Sequence, residues 1–111
     1  MVTLTNVGTA YDTTDASKGL GIAKIDFTGA TSIEFDVRAK KVGSGTQSWQ
    51  LFNETDAAEL AVIDDAGAAG EKYLSGTFAV NLIGSKRVRV RAKSTVGSDD
   101  PIFFGASVVV T

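Results

Sequence analysis

The chain has 111 residues, of which 43% are hydrophobic and 22% charged, and its formal net charge is −2. This is the composition of one globular domain, here residues 1–111, and so weak and acidic a charge does not suit binding to a phosphate backbone. Histidine and cysteine are absent, which excludes catalysis by either residue, zinc sites built from them and disulfide bonds.

Hydrophobic residues alternate with polar ones along most of the chain, which is the pattern of half-buried β-strands. In the clearest example, Thr31–Lys41, the side chains of Ile33, Phe35 and Val37 share one face, and charged residues occupy the other. In chain order, strands are predicted at Val2–Val7, Ala23–Phe27, Thr31–Lys41, around Trp49 and Leu51, at Gly76–Leu82, Lys86–Lys93 and Ile102–Val110.

Turn-forming residues separate these runs, at Thr13–Gly19, Gly43–Gln47, Ala66–Lys72 and Ser94–Pro101. Short strands at this spacing predict an all-β fold, an antiparallel β-sandwich of about seven to nine strands that is jelly-roll-like or immunoglobulin-like. The predicted core contains Ile33, Phe35, Val37, Trp49, Leu51, Phe78, Val80, Val88, Val90, Phe104, Val108 and Val110.

One segment allows two interpretations. Asp56–Glu59 has the spacing of a capping box, which would begin a short helix. Leu60–Ile63 contains β-branched residues and is followed by Asp64 and Asp65, which favours a strand. We favour the strand.

Two predicted strands are apolar on both faces and therefore need cover on both sides. In the last strand, Phe103 and Val109 lie opposite the face that carries Phe104, and Phe52 points away from Trp49. The cover is either a loop of the same chain or another subunit. We take Phe52, Phe103 and Val109 as candidate interface contacts, with Arg87, Arg89 and Arg91 supplying charge complementarity.

A basic stripe, consisting of Lys86, Arg87, Arg89, Arg91 and Lys93, follows one strand face. These cations either pair with acids such as Glu34 and Asp36 on a neighbouring strand or bind an acidic partner. Nucleic-acid platforms interleave cations with aromatic side chains, and this strand has none, so we expect no nucleic-acid binding. No apolar run approaches the roughly 20 residues of a membrane span, and we expect no membrane contact.

Acidic residues occur in three loop pairs: Asp12 and Asp15, Asp64 and Asp65, and Asp99 and Asp100. Calcium sites use such loops, and Asp65, Asp99 and Asp100 would be the first candidates for one. The EF-hand spacing is missing, however, and we favour turn-forming aspartates on a solvated surface. Glu34 and Asp36 alternate with cations, which keeps them ionised rather than poised for acid catalysis. We expect no bound metal, no cofactor and no enzymatic activity.

Two resemblances add to this interpretation. Arg87–Ser94, leading to Val96 and Gly97, resembles the penultimate strand and turn of a fibronectin type III domain. The whole compact, acidic, cysteine-free chain, with Gly84–Val90 after a strand, is similar to the small β-sandwich proteins that decorate tailed-phage heads or associate with their tails.

The phage resemblance implies a homo-oligomeric structural protein of the virion, assembled in the host cytoplasm, that binds major capsid or tail subunits. The alternative is an extracellular carbohydrate-binding or adhesion module. It would use Tyr11 and Tyr73, which we place at loop edges, together with loop acids and calcium. Trp49 shares a face with Leu51 and is assigned to the core.

Overall fold

A computed structural model describes residues 2–3, 11 and 22–111 of the chain. This part of the chain is all-β, as the alternating sequence predicts. Its strands are β1 (Val2–Thr3), β2 (Ala23–Asp26), β3 (Ser32–Lys41), β4 (Gln47–Asn53), β5 (Ala58–Asp65), β6 (Gly70–Ala79), β7 (Ser85–Ser94) and β8 (Ile102–Val110). The predicted first strand extended to Val7, and residues 4–7 lie outside the described residues.

The strands form two antiparallel four-stranded sheets. Sheet A has the order β1-β8-β3-β6, and sheet B has the order β2-β7-β4-β5. The first strand pairs with the last, the second with the second-to-last, and so on inward: β1 with β8, β2 with β7, β3 with β6 and β4 with β5. Such pairing arises when one long antiparallel hairpin folds over on itself, and it is the strand order of a jelly roll.

The apolar sides of β3, β4 and β7 face one another between the sheets. Ile33, Phe35 and Val37 are fully buried, and Trp49 is 1% exposed. The core assignments for these strands are confirmed. Phe27, Ala39, Ala61 and Ala92 are also buried, in addition to the predicted core set.

The predicted core is wrong at its margins. Phe78, Val80 and Val108 are half-buried and pack against the core from its rim. Val110 is exposed, because it is the last residue of β8 and lies where the sandwich ends.

A β-bulge in β8 changes which side chains point inward. Gly105 pairs with Arg38 and Phe103 pairs with Ala39, so Phe104 is an extra residue in the ladder. An inserted residue reverses the alternation of faces. The ring of Phe103 consequently enters the core, 5.5 Å from the ring of Trp49, and Phe104 points outward. The predicted core position of Phe104 is therefore wrong.

The ambiguous segment is a strand, β5, and not a helix. The turn before it is held by Asn53, whose amide nitrogen donates to the carboxylate of Asp56 at 2.8 Å. Ala57 follows with φ of 52°, a left-handed conformation that ends the turn. Lys86 also donates to the carboxylate of Asp56, and together these hydrogen bonds lower its pKa.

Candidate docking surfaces

The outer face of sheet A carries exposed apolar and aromatic side chains. Val109 lies there opposite Glu34 and is 51% exposed, as the sequence predicts for that face. Tyr73 is 74% exposed, but it lies within β6 and not at a loop edge, because β6 begins at Gly70, inside the predicted turn. The outer faces of antiparallel sheets in free monomers are normally polar, so these exposed groups are candidates for contact with another molecule.

Phe103 does not belong to this outer face. It is 6% exposed and packs on Trp49 inside the sandwich. The bulge at Phe104 accounts for the error, since unbroken alternation would have placed Phe103 outside. Of the two interface residues predicted in this strand, only Val109 is exposed.

A shallow depression of about 230 Å³ lies across β6, β3 and β8 on the same face. Tyr73 forms one side of it and Phe104 the other. The guanidinium of Arg38 lies between them, 5.4 Å from the centre of the Phe104 ring, and is paired with Glu71 at 2.5 Å. Asp36 and Ser107 complete the polar lining. Sequence reasoning named Tyr73 as a candidate for carbohydrate binding but did not identify the residues around it, because they depend on which strands are neighbours.

The apolar end of the sandwich consists of Ile83, Val109 and Val110. Their exposures are 82%, 51% and 37%. Backbone hydrogen bonds place the segments that carry them at one end: Val80 donates to Thr31, and Thr31 donates to Thr111, at 3.1 and 2.8 Å. Three exposed aliphatic side chains thus lie where β6 and β8 end.

The basic stripe pairs with acids of its own sheet. The Nε atoms of Arg87 and Arg89 lie 3.2 and 2.6 Å from the carboxylate of Glu54. Lys86 lies 2.9 Å from Asp56. The predicted partners Glu34 and Asp36 lie on β3 in the other sheet, so that assignment is wrong. The two acids of the β4–β5 turn thus pair with three cations of the stripe, which weakens the case for an acidic partner.

Arg91 and Lys93 contact aromatic rings contributed by other segments. The guanidinium of Arg91 lies 4.4 Å from the centre of the Phe52 ring, and the ammonium of Lys93 lies 4.6 Å from that of Tyr11. Phe52 points outward, as predicted, but Arg91 covers it and leaves it half-buried. Burial also raises the pKa of the Tyr11 hydroxyl to about 12. These aromatic groups belong to the packed outer layer of sheet B.

Four of the loop acids have structural partners. Asp65 is buried and accepts a hydrogen bond from Lys72 at 2.6 Å, and Asp64 accepts one from Ser48, also at 2.6 Å. The carboxylate of Asp99 lies against Gly43, and Asp100 also interacts within the fold. Asp12 and Asp15 lie outside the described residues. Among the residues that are described, no three acidic side chains form a group that could hold a metal ion.

Compared with known proteins, the chain matches no family model and no curated protein sequence. Within the described ranges, the structure contains no helix of the length and hydrophobicity that crossing a bilayer requires.

Proposed function

We propose that the protein is a non-enzymatic structural protein of a phage or virus-like particle, a capsid-decoration or tail-associated protein that binds neighbouring subunits. The observation that supports this role is the apolar end of the sandwich, where Ile83, Val109 and Val110 are exposed to solvent. Exposed aliphatic groups gain free energy when a partner covers them, about 25 cal/mol per Å². A rigid sandwich with such a surface is suited to docking.

The jelly-roll strand order is compatible with this role. Jelly rolls occur in viral capsid proteins and in lectins, and a fold by itself does not decide between the two functions. The surfaces must therefore be tested separately.

Val109→Lys tests the docking role without disturbing the fold. The new ammonium would lie opposite Glu34 on β3, so the variant gains a cross-strand ion pair and should remain folded. Val96→Lys is the matched control, because Val96 is 39% exposed and lies in the loop after β7, at the end of that strand opposite to Ile83.

Light scattering at protein concentrations from micromolar to millimolar is the measurement. We expect the wild-type chain and Val96→Lys to form a homo-oligomer, and Val109→Lys to have a smaller mass at the same concentration. A wild-type chain that stays at 11.5 kDa throughout would contradict the docking role.

Carbohydrate binding is the second candidate, and the depression beside Tyr73 favours it. An exposed aromatic ring next to the guanidinium of Arg38 and the carboxylate of Asp36 offers stacking together with hydrogen bonds, as in many ligand sites. A glycan array tests it with wild type and Tyr73→Ala. Binding by a monomeric wild-type chain that Tyr73→Ala abolishes would establish this function in place of the structural one.

A further inference from the structure

Strand β6 lies at the edge of sheet A. Within the described ranges its one strand neighbour is β3, and the ten residues Gly70–Ala79 pair with β3 without a register shift. The other side of an edge strand presents a row of backbone N–H and C=O groups that can pair with another strand.

The hydrogen bonds identify the residues whose backbone points to this free edge. Ser32 exchanges backbone bonds with Thr111, at 3.2 and 3.0 Å, so the even-numbered residues of β3 bond toward β8. Because bonding direction alternates along an antiparallel strand, the odd-numbered residues of β3 bond toward β6. Their partners in β6 are even-numbered, as in the pair Phe35 and Gly76. The free edge therefore belongs to Tyr73, Ser75, Thr77 and Ala79.

This edge lacks the features that normally prevent strand pairing. Proteins protect edges with charges, prolines or bulges. The only proline of the chain is Pro101, and no charged residue occurs between Tyr73 and Ser85. Glu71 and Lys72 lie at the start of the strand and are already paired with Arg38 and Asp65.

We propose that β6 pairs in antiparallel fashion with β6 of a second copy of this chain, about a twofold axis beside Gly76. This inference rests on the proposed structural role and names one of its contacts. The register places Tyr73 opposite Ala79 of the second copy, and Ser75 opposite Thr77. Large side chains then face small ones and no like charges meet, whereas a register shifted toward Gly70 brings the charged residues into the interface.

The inward side of the edge also gains cover from such a pair. Leu74 and Phe78 point toward the sandwich interior but remain half-buried. The ring of Phe78 lies over Gly76, so close that a Cβ atom on Gly76 would be 2.9 Å from it. Leu74 would meet Phe78 of the second copy, and the two four-stranded sheets would form one continuous sheet of eight strands.

Thr77→Pro tests the pairing, with Thr77→Ala as its control. Proline removes an N–H that β3 does not use, so the monomer fold is retained and only the edge is blocked. By light scattering we expect wild type and Thr77→Ala to have the same mass, at least the 23 kDa (2 × 11.5) of an edge-paired dimer, and Thr77→Pro to have a smaller mass at the same concentration. Near-ultraviolet circular dichroism of Trp49 verifies that each variant is folded.

A charge exchange tests the register and keeps every N–H in place. The double variant Ser75→Lys, Thr77→Lys puts ammonium groups opposite each other across the axis, and we expect its mass to fall as in Thr77→Pro. The double variant Ser75→Glu, Thr77→Lys puts opposite charges there, and we expect the dimer to return, weakened at high salt.

The outcomes separate this inference from the structural role. Dimers that persist in folded Thr77→Pro and in the double-lysine variant, but not in Val109→Lys, would overturn edge pairing and leave the structural role supported. A wild-type chain that is monomeric at millimolar concentration would overturn both.

Discussion

Replacing each of two adjacent phenylalanines with alanine tests the bulge in β8. Phe103 is 6% exposed and packs on Trp49, so Phe103→Ala leaves a cavity in the core. Such truncations cost about 3–5 kcal/mol. Phe104 is half-buried on the outer face, where the guanidinium of Arg38 lies 5.4 Å from the centre of its ring. Phe104→Ala should cost about 1 kcal/mol, the scale of a surface cation–π contact with modest burial.

Urea unfolding followed by far-ultraviolet circular dichroism measures both losses. With a slope of about 1.5 kcal/mol per molar urea, Phe103→Ala should lower the midpoint by about 2–3 M, and Phe104→Ala by less than about 1 M. Equal losses, or a larger loss for Phe104→Ala, would refute the bulge and restore the unbroken alternation of β8.

Three further predictions concern stability. Ala57→Gly should stabilise the protein by about 0.5–1 kcal/mol in thermal unfolding. Glycine adopts the left-handed conformation without the steric strain of a Cβ atom, and this gain exceeds the extra backbone entropy that glycine loses on folding; destabilisation would contradict the turn. Lys72→Met should cost about 2 kcal/mol in urea, since it leaves the buried Asp65 carboxylate without its cation, and adding Asp65→Asn should recover part of the loss; no recovery would contradict the pair. Burial raises the pKa of Tyr11 from 10.0 to about 12, so the stabilisation present below pH 10 should be lost as pH rises from 10 to 12. Thermal unfolding of Tyr11→Phe should show a smaller loss over that range; an equal loss would show that Tyr11 is not responsible.

Local alternation predicted the strands and much of the core. Ile33, Phe35 and Val37 are buried as expected, because β3 is a central strand and both of its ladders are regular over these residues. The prediction placed Phe104 inside and Phe103 outside, which is the reverse of the structure. One extra residue shifts the faces of the strand, and two adjacent phenylalanines give no sign of which of them is inserted.

The surfaces depend on long-range neighbours that local patterns do not reveal. The basic stripe has the same alternation whether its partners are Glu34 or Glu54, and the sheet order selects Glu54. The depression beside Tyr73 and the free edge of β6 likewise follow from which strand lies next to β3 and which lies at the margin. These features require the three-dimensional arrangement.

Residue-resolved amide hydrogen exchange as a function of protein concentration tests most directly whether the protein joins to a second copy of itself through the edge of β6. At millimolar concentration we predict slow exchange at the edge-facing amides of Tyr73, Ser75, Thr77 and Ala79, and fast exchange of the same amides at micromolar concentration. The amides of Leu74, Gly76 and Phe78, which bond to β3, should be slow at both concentrations and serve as an internal reference. Edge-facing amides that exchange equally fast at every concentration would contradict the pairing of β6 with a second copy.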